Sequence, residues 1–409
     1  MNSSSARFSN VASPPGRVPM GITGLAFLIL GLVLGLTLLS GCGGEEISSE
    51  VRAKRLASPS TPIHLAYISA EQSEGPFSWR GVQIALDQAA TANFGLNRTI
   101  TIERHVSPET VHEGLLQVYD LLKNPTLAAV IDFSTSYAMM SKAILLQHHG
   151  ALHIAPAEGD PVVDEHNLSL VFQMLPGDDE LGRDMALFCS AQGWNRILLA
   201  RELSFHGQHA GNAFDRQSQN LDMEIMGFFY FDQIDSREHF SSQLDMWQEN
   251  HDFDALVIMG HYPAAAQMVH TARRLGFLGP ILLSDQLDSP RFVSQLPPEE
   301  DNIFIASVFD PHNSHPWVRN FVQAYRQQFG QEPNTAAAMG YFSTLLFAKA
   351  TQSADRTTPG EIAQQLKQYM PRLAAALRPE DPTAFTQQSF SFKVVSQGKM
   401  HVPNFESLP

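Results

Sequence analysis

The chain has 409 residues, 44% hydrophobic and 17% charged, which is enough for two ordinary domains and too apolar for general disorder. It carries 27 Lys and Arg against 42 Asp and Glu, a net charge of −15 that argues against nucleic acid and polyanionic partners. Two cysteines, Cys42 and Cys189, are too few for a disulfide-rich scaffold.

The first 42 residues stand apart. Arg7 and Arg17 precede an apolar run over 22–39, long enough to span a bilayer, that ends in Leu39-Ser40-Gly41-Cys42. A cysteine directly after two small residues resembles the bacterial lipoprotein signal, in which Cys42 is lipidated and cleavage makes it the new N-terminus. A retained transmembrane anchor is the alternative. On either reading the run is an export and membrane signal. Gly43 after the cysteine resembles an outer-membrane address, should the host be Gram-negative. Residues 43–62 are polar and read as a flexible tether.

From Ile63 the chain alternates between strand and helix patterns. Ile63–Ala70 reads as a strand, Trp79–Phe94 as a helix, Thr99–Val106 as a strand, and Pro108 opens a second helix. Ala128–Phe133 is a buried strand, Ser136–His149 a helix and Leu152–Pro156 a short strand. After Val171–Pro176 the same rhythm returns, with helix Asp178–Gln192, strand Arg196–Ala200, helix Gly207–Asn220, strand Glu224–Phe231 and helix Ser236–Asn250. Cys189 lies on an apolar helix face, where inert burial is expected.

The stretch from Phe253 to Asp285 is the clearest unit. FDALVIMG is a strand apolar almost throughout, as one covered on both faces must be. Tyr262-Pro263 opens an amphipathic helix, Gly276 and Gly279-Pro280 end it, and Ile281–Leu283 is the next strand. Ligands of such β-α-β units gather beyond the carboxyl ends of the strands, which puts Gly260-His261-Tyr262 and Ser284-Asp285 in one candidate half-site. Ile303–Val308 is a further strand. Helices His315–Phe329, Thr335–Thr351 and Pro359–Tyr369 follow, and a hairpin closes the chain with Ser389–Val395 and Lys399–Val402. The alternation predicts an α/β fold of doubly wound parallel sheets, with one architecture used twice and a boundary near 175–178.

Several short motifs, in this order, resemble the type I periplasmic binding proteins of the branched-chain amino-acid transport group. They are Gly75-Pro76, the run from Gly81 to Asp87, Phe133-Ser134-Thr135-Ser136, Ile154-Ala155-Pro156-Ala157, Gly182, Gly260-His261-Tyr262-Pro263 and the run from Ala272 to Phe277. The resemblance covers roughly 61–350. It implies two doubly wound lobes joined by a three-crossing hinge, with crossings near Pro176, Asp310 and Thr351. The lobes would be 63–176 plus 311–351 and 177–310 plus 352–409, closing around a small polar ligand.

The same resemblance places site residues. Ser134 and Ser136 sit between a strand end and a helix start, where hydroxyls and N–H groups suit a ligand carboxylate; capping of that helix is the plainer role for Ser136. Ala157 and Glu158 follow the next strand. The family usually has small or hydroxyl residues there, so Glu158 either points outward or serves a ligand other than a standard α-amino acid. Trp79 would present an aromatic to the ligand or pack beneath its loop. In the second lobe His206 stands where the family often has tyrosine, His261 and Tyr262 where it has aromatics, and Asp285 at or near the acid that meets the ligand ammonium. His206 and His209 have the spacing of a metal pair, but no third ligand is fixed nearby, and neither a metal nor a cofactor is expected.

The function that follows is a lipid-anchored solute-binding protein that delivers an amino acid or amide-like solute to an ABC transporter permease. A sensory or regulatory lipoprotein of the same fold, binding a protein such as a cell-wall synthase, is the second reading. Catalysis is not expected: the chain has no G-x-S-x-G, P-loop or G-x-G-x-x-G sequence.

Overall fold

The structure is a computed structural model that describes residues 47–69, 75–90, 98–108, 110–134, 136–156, 166–235, 237–250, 252–297, 300–378 and 388–403. The apolar run over 22–39, Cys42, Ala157 and Glu158 lie outside these residues, as do the side chain of Ser136 and all of Thr135.

Ile63–Ser69 (β1), Ile100–Val106 (β2), Leu127–Phe133 (β3), Leu152–Ala155 (β4) and Val171–Gln173 (β5) form a parallel sheet ordered β2-β1-β3-β4-β5. Central β1 and β3 are buried along nearly their whole length, whereas β2, at the edge, alternates. The segment from Val171 supplies the last strand of this sheet, before the crossing expected near Pro176. Helices Gly75–Ala90 (α2), Val111–Leu122 (α3) and Ser136–His148 (α4) connect the strands.

The second sheet holds Arg196–Glu202 (β6), Glu224–Phe231 (β7), Ala255–Met259 (β8), Ile281–Leu283 (β9), Ile303–Ser307 (β10), Ser391–Ser396 (β11) and Lys399–His401 (β12). Its order is β12-β11-β10-β9-β8-β6-β7, parallel from β10 to β7 and antiparallel through the terminal hairpin. The helices here are Asp178–Ala191 (α5), Phe205–Asn220 (α6), Arg237–Asn250 (α7), Ala264–Arg274 (α8) and the short Pro290–Val293 (α9). One apolar cluster runs from Tyr67 and Ile131 through Met174, Val308 and Phe309 to Leu199 and Phe392, so the two lobes share a continuous core at the hinge. Cys189 lies fully buried in it, and burial pushes its thiol pKa up.

Beyond β10 come Pro316–Phe329 (α10), Thr335–Ser353 (α11) and Pro359–Leu377 (α12). Helix α11 packs against α2 at backbone contact. A Cβ on Gly81 would lie 1.9 Å from the Ala337 carbonyl oxygen, and one on Gly340 would lie 2.0 Å from that of Ser78. The second lobe repeats the device: a Cβ on Gly182 of α5 would lie 2.1 Å from the Ala210 oxygen of α6. Helix α12 extends past the expected Tyr369, through Pro371, because Leu373 and Ala376 are buried. It packs on α10 and α11, although it lies beyond the crossing expected near Thr351, and the chain rejoins the second sheet only at β11. There Asp184 of α5 accepts the N–H groups of Ser389 and Phe390 at 2.7 and 3.1 Å.

The hinge is tied by Asp288. Its carboxylate accepts from Lys393 Nζ of β11 (2.9 and 3.0 Å), from Ser307 Oγ at the end of β10 (2.6 Å), and from Thr335 Oγ1 at the start of α11. Ser307 Oγ also takes the N–H of Phe309 at 3.2 Å, so one buried acid orders a loop, two strands and a crossing.

The expected flexible tether needs correction over part of its length. Ser49–Ala57 is a helix, α1, with Ser48 as its N-cap. Arg52 is fully buried and donates to the carbonyl oxygens of His149 (2.9 Å), Asn124 (2.7 Å), Leu127 (2.9 Å) and Leu122 (2.7 Å). Those carbonyls belong to the ends of α3 and α4 and to the start of β3, groups that a helix terminus leaves without an intrahelical partner. A polar composition therefore hid a docking element whose main anchor is a guanidinium.

The close helix contact sets a stability test. Gly81→Ala should cost about 3 kcal/mol, since the clash is with backbone and cannot be relieved by a rotamer change. Gly360→Ala, whose Cβ would meet nothing within 4 Å, should change stability by less than ~1 kcal/mol. Denaturant unfolding of both variants checks this; equal effects would refute the backbone-contact account.

Candidate functional site

In the second lobe, the carboxyl ends of the strands gather ionisable groups. Glu202 ends β6, His261 follows β8 and Asp285 follows β9. From the helix starts come Asp178, the first residue of α5, and His206, in the first turn of α6. Ser204 caps α6 by accepting the Gly207 N–H at 3.1 Å, and this capped turn sets His206.

Glu202 is the centre of one pair. Its Oε2 accepts the His261 N–H (2.8 Å) and lies 2.6 Å from His261 Nδ1, while Ser204 Oγ donates to it at 3.2 Å and Gln233 Nε2 donates to Oε1. Burial alone would raise its pKa; the hydrogen bonds and charge of His261, with Gln233, outweigh that and hold it at about 2, against 4.5 ordinarily. Gly260 allows the approach, because a Cβ there would lie 2.6 Å from the Phe231 ring and 3.0 Å from the Glu202 side chain.

His206 forms the other arm. Its Nδ1 lies 2.6 Å from Asp178 Oδ1; a carboxylate only accepts, which assigns the proton to Nδ1 and turns Nε2 towards Asp285, 4.0 Å from Oδ1. The two imidazoles meet edge-on at 5.1 Å. Asp285 does not cap the next helix, since Ser289 caps α9, and it starts a 3-10 turn that ends beside the hinge acid Asp288. His209 is not joined to His206; its ring stacks on Phe205 at 3.8 Å. Tyr262 turns to α9: its hydroxyl accepts from Gln295 Nε2 at 2.6 Å and Arg291 covers its ring at 4.4 Å.

In the first lobe, Ser134 follows β3 over a buried cluster. Its N–H bonds to Asp132 Oδ1 (3.0 Å), and its Oγ accepts from Lys142 Nζ (2.8 Å). Asp132 Oδ2 lies 3.3 Å from Lys142 Nζ and 3.2 Å from His153 Nε2, all three side chains being essentially inaccessible. Burial opposes ionisation of Asp132, but His153, Lys142 and Ser134 together bring its pKa well below the ordinary range. Ser136 is the first residue of α4. Trp79 packs on Tyr67 at 5.1 Å with Arg104 over its ring at 5.7 Å, half-buried against the core.

His261, Asp285 and Ser134 thus stand at strand ends and His206 at a helix start, as expected, whereas the groups that hold them, Asp178, Glu202, Asp132, Lys142 and His153, were missed. A signal existed for some of these. Asp132 interrupts an otherwise apolar strand, Lys142 is the lone Lys or Arg in its helix, and strand β6 runs past Ala200 to end in a charge.

The Glu202 pair makes stability depend on acid. The folded pKa lies below the unfolded one, so the contribution is complete above pH 4.5 and is lost as pH falls towards 2. Relative to wild type, Glu202→Gln should flatten the melting temperature over that window, removing on the order of 2 kcal/mol of pH-dependent stability. Parallel profiles for the two proteins would refute the pairing.

The family described as periplasmic binding protein matches residues 69–393. Among solved structures, a leucine binding protein, LivK, from Thermotoga maritima has a TM-score of 0.70 and 21% identity, covering 83% of this chain and 97% of its own. The branched-chain amino acid transporter substrate binding protein LivJ from Streptococcus pneumoniae, solved with isoleucine, has 0.69 and 22%, covering 83% and 98%. An ABC transporter substrate-binding protein from Desulfitobacterium hafniense has 0.69 and 20%, covering 84% and 100%. Comparison with curated protein sequences finds no match. With the family matched over most of its length and two sheets arranged as in these structures, the chain belongs to the periplasmic binding proteins and has their type I, two-lobed fold.

Proposed function

We propose that the chain is an extracytoplasmic solute-binding lipoprotein of an ABC transporter, taking a neutral α-amino acid or amide-like solute between its lobes by hinge closure. The observation that carries this is the pairing of strand-end chemistries. The second lobe offers the Asp285 carboxylate, its side chain only 7% accessible, beside His206 Nε2, a setting for an ammonium or amide N–H. The first lobe offers the hydroxyl of Ser134, held by a lysine, at a helix start that suits a carboxylate. A neighbour of the same fold was solved with isoleucine and another with Leu, which supports an amino acid of that size. Tyr262 and Trp79 enter as walls, since their polar or aromatic surfaces already have partners. The permease is the expected partner, and Cys42 is the proposed lipid attachment; among the described residues no helix is long and apolar enough to cross a membrane.

A thermal-shift screen of unfolded and refolded, ligand-stripped protein tests the reading. Leucine or isoleucine at about 1,000 times its dissociation constant should add roughly 4 kcal/mol of stability. Asp285→Asn should weaken that ligand by about 10- to 100-fold while leaving the ligand-free melting temperature near wild type. If folded protein responds to no amino acid, amide or small carboxylate, transport fails as the function and a protein partner takes its place.

Lipid attachment has its own check. Wild-type protein should incorporate labelled palmitate and lose residues 1–41, and Cys42→Ser should do neither. A wild-type protein that takes up no label and keeps those residues would replace the lipid with a retained apolar anchor.

A further inference from the structure

Each sheet has two edges, and three of the four found among the described residues carry features that keep strand edges from pairing. Strand β2 has Glu103, Arg104 and His105 in its second half. Strands β5 and β12 are three residues long, and β12 begins with Lys399. Strand β7 has none of these. It runs for eight residues, Glu224–Phe231, and between Glu224 and Asp232 there is neither a charge nor a proline.

The outer side of β7 is aromatic as well as unpaired. The Phe231 carbonyl accepts from Leu203, which turns Phe231 and, by alternation, Phe229 and Gly227 towards β6. The N–H and C=O groups of Phe228 and Tyr230 therefore point away from the sheet. Phe229 and Phe231 pack on Phe240 of α7, whereas Phe228 and Tyr230, on the opposite face, are 43% and 52% exposed. Arg201, whose stem lies under Gly211 of α6, sets its guanidinium over the Phe228 ring at 4.6 Å and holds that ring in place. A bulge marks where the regular edge begins: Ile197 faces Ile225 and Leu198 faces Gly227, so Met226 is the extra residue. The stretch that remains, Gly227–Phe231, is symmetric about Phe229.

We propose that this edge is a homodimer interface, at which β7 strands of two copies pair antiparallel about a two-fold axis at Phe229. In that register Phe228 of each copy faces Tyr230 of the other. These are the residues with outward backbone groups, so each such pair exchanges both N–H···O bonds and sets a Phe–Tyr contact on the exposed face. The stretch is its own complement, and pairing closes the assembly at two copies because it uses the edge up. The same register staggers the acids at the strand ends, setting Asp232 two positions away from Glu224 of the other copy. Chains of net charge −15 repel one another, so salt favours this association, which is apolar and backbone-mediated.

The test is the mass of the purified full chain in detergent, read by light scattering with the detergent contribution subtracted. Wild type should have the mass of two chains, and its dimer dissociation constant should fall roughly 10-fold between low salt and about 0.5 M NaCl. Tyr230→Lys puts a charge on the edge, and Tyr230→Pro removes an outward N–H without touching the ladder to β6. Each should weaken the dimer by at least ~10-fold. Tyr230→Phe should leave it intact, as should Leu278→Lys at an exposed position elsewhere on the lobe. Melting temperatures near wild type separate loss of the dimer from loss of folding. Single-chain mass for wild type at both salts, assemblies larger than two, or a dimer unaffected by Tyr230→Lys and Tyr230→Pro would overturn the proposal.

Discussion

The structure depends on burying charge at the places where the chain changes lobes. Asp288 shows this most directly. One carboxylate, nearly out of solvent, joins β11 through Lys393, β10 through Ser307 and the start of α11 through Thr335. Without it the crossing after β10 would bury the Lys393 ammonium without its carboxylate, a state far costlier than the pair itself. Helix α11 then completes the first lobe by lying against α2 at glycine-to-backbone distance, so a segment from late in the chain becomes part of the early sheet. Asp285 lies three positions before Asp288 in the same turn, so the carboxylate facing His206 and the hinge acid share one short piece of backbone.

The two lobes handle ionisable groups in contrasting ways. In the first, Asp132, Lys142 and His153 form a buried cluster, with the Ser134 hydroxyl bonded to the lysine. In the second, Glu202 and Asp178 are each paired with a histidine, and the histidines bring Asp285 into the same neighbourhood. In both lobes a buried charge fixes the orientation of a neighbouring hydroxyl or imidazole through hydrogen bonds.

Much of the architecture is legible without coordinates. The alternation of β-α units, the apolar run 255–259 and the glycine and proline punctuation around 276–280 place strands and helices close to where they are found. Misplaced features share a cause. Residues 49–57 have no large apolar face, so periodicity could not mark them as docked; Arg52 does that by reaching carbonyls 70 to 97 positions away. Pro371 should stop a helix, but burial of Leu373 and Ala376 carries α12 past it.

The sequence by itself determined the doubly wound class, the doubled architecture, the strand ends at Ser134, His261 and Asp285 and the helix start at His206. Local period and turn chemistry are written in neighbouring residues. Only the tertiary structure decided how each of those side chains is held. It bound Ser134 to Lys142, His206 to Asp178, His261 to Glu202 and Tyr262 to Gln295, and it placed α12 with the helices of the first lobe. The physical reason is that a buried polar group must find a partner wherever the fold brings one within 3 Å or so, and nothing in local spacing names that partner.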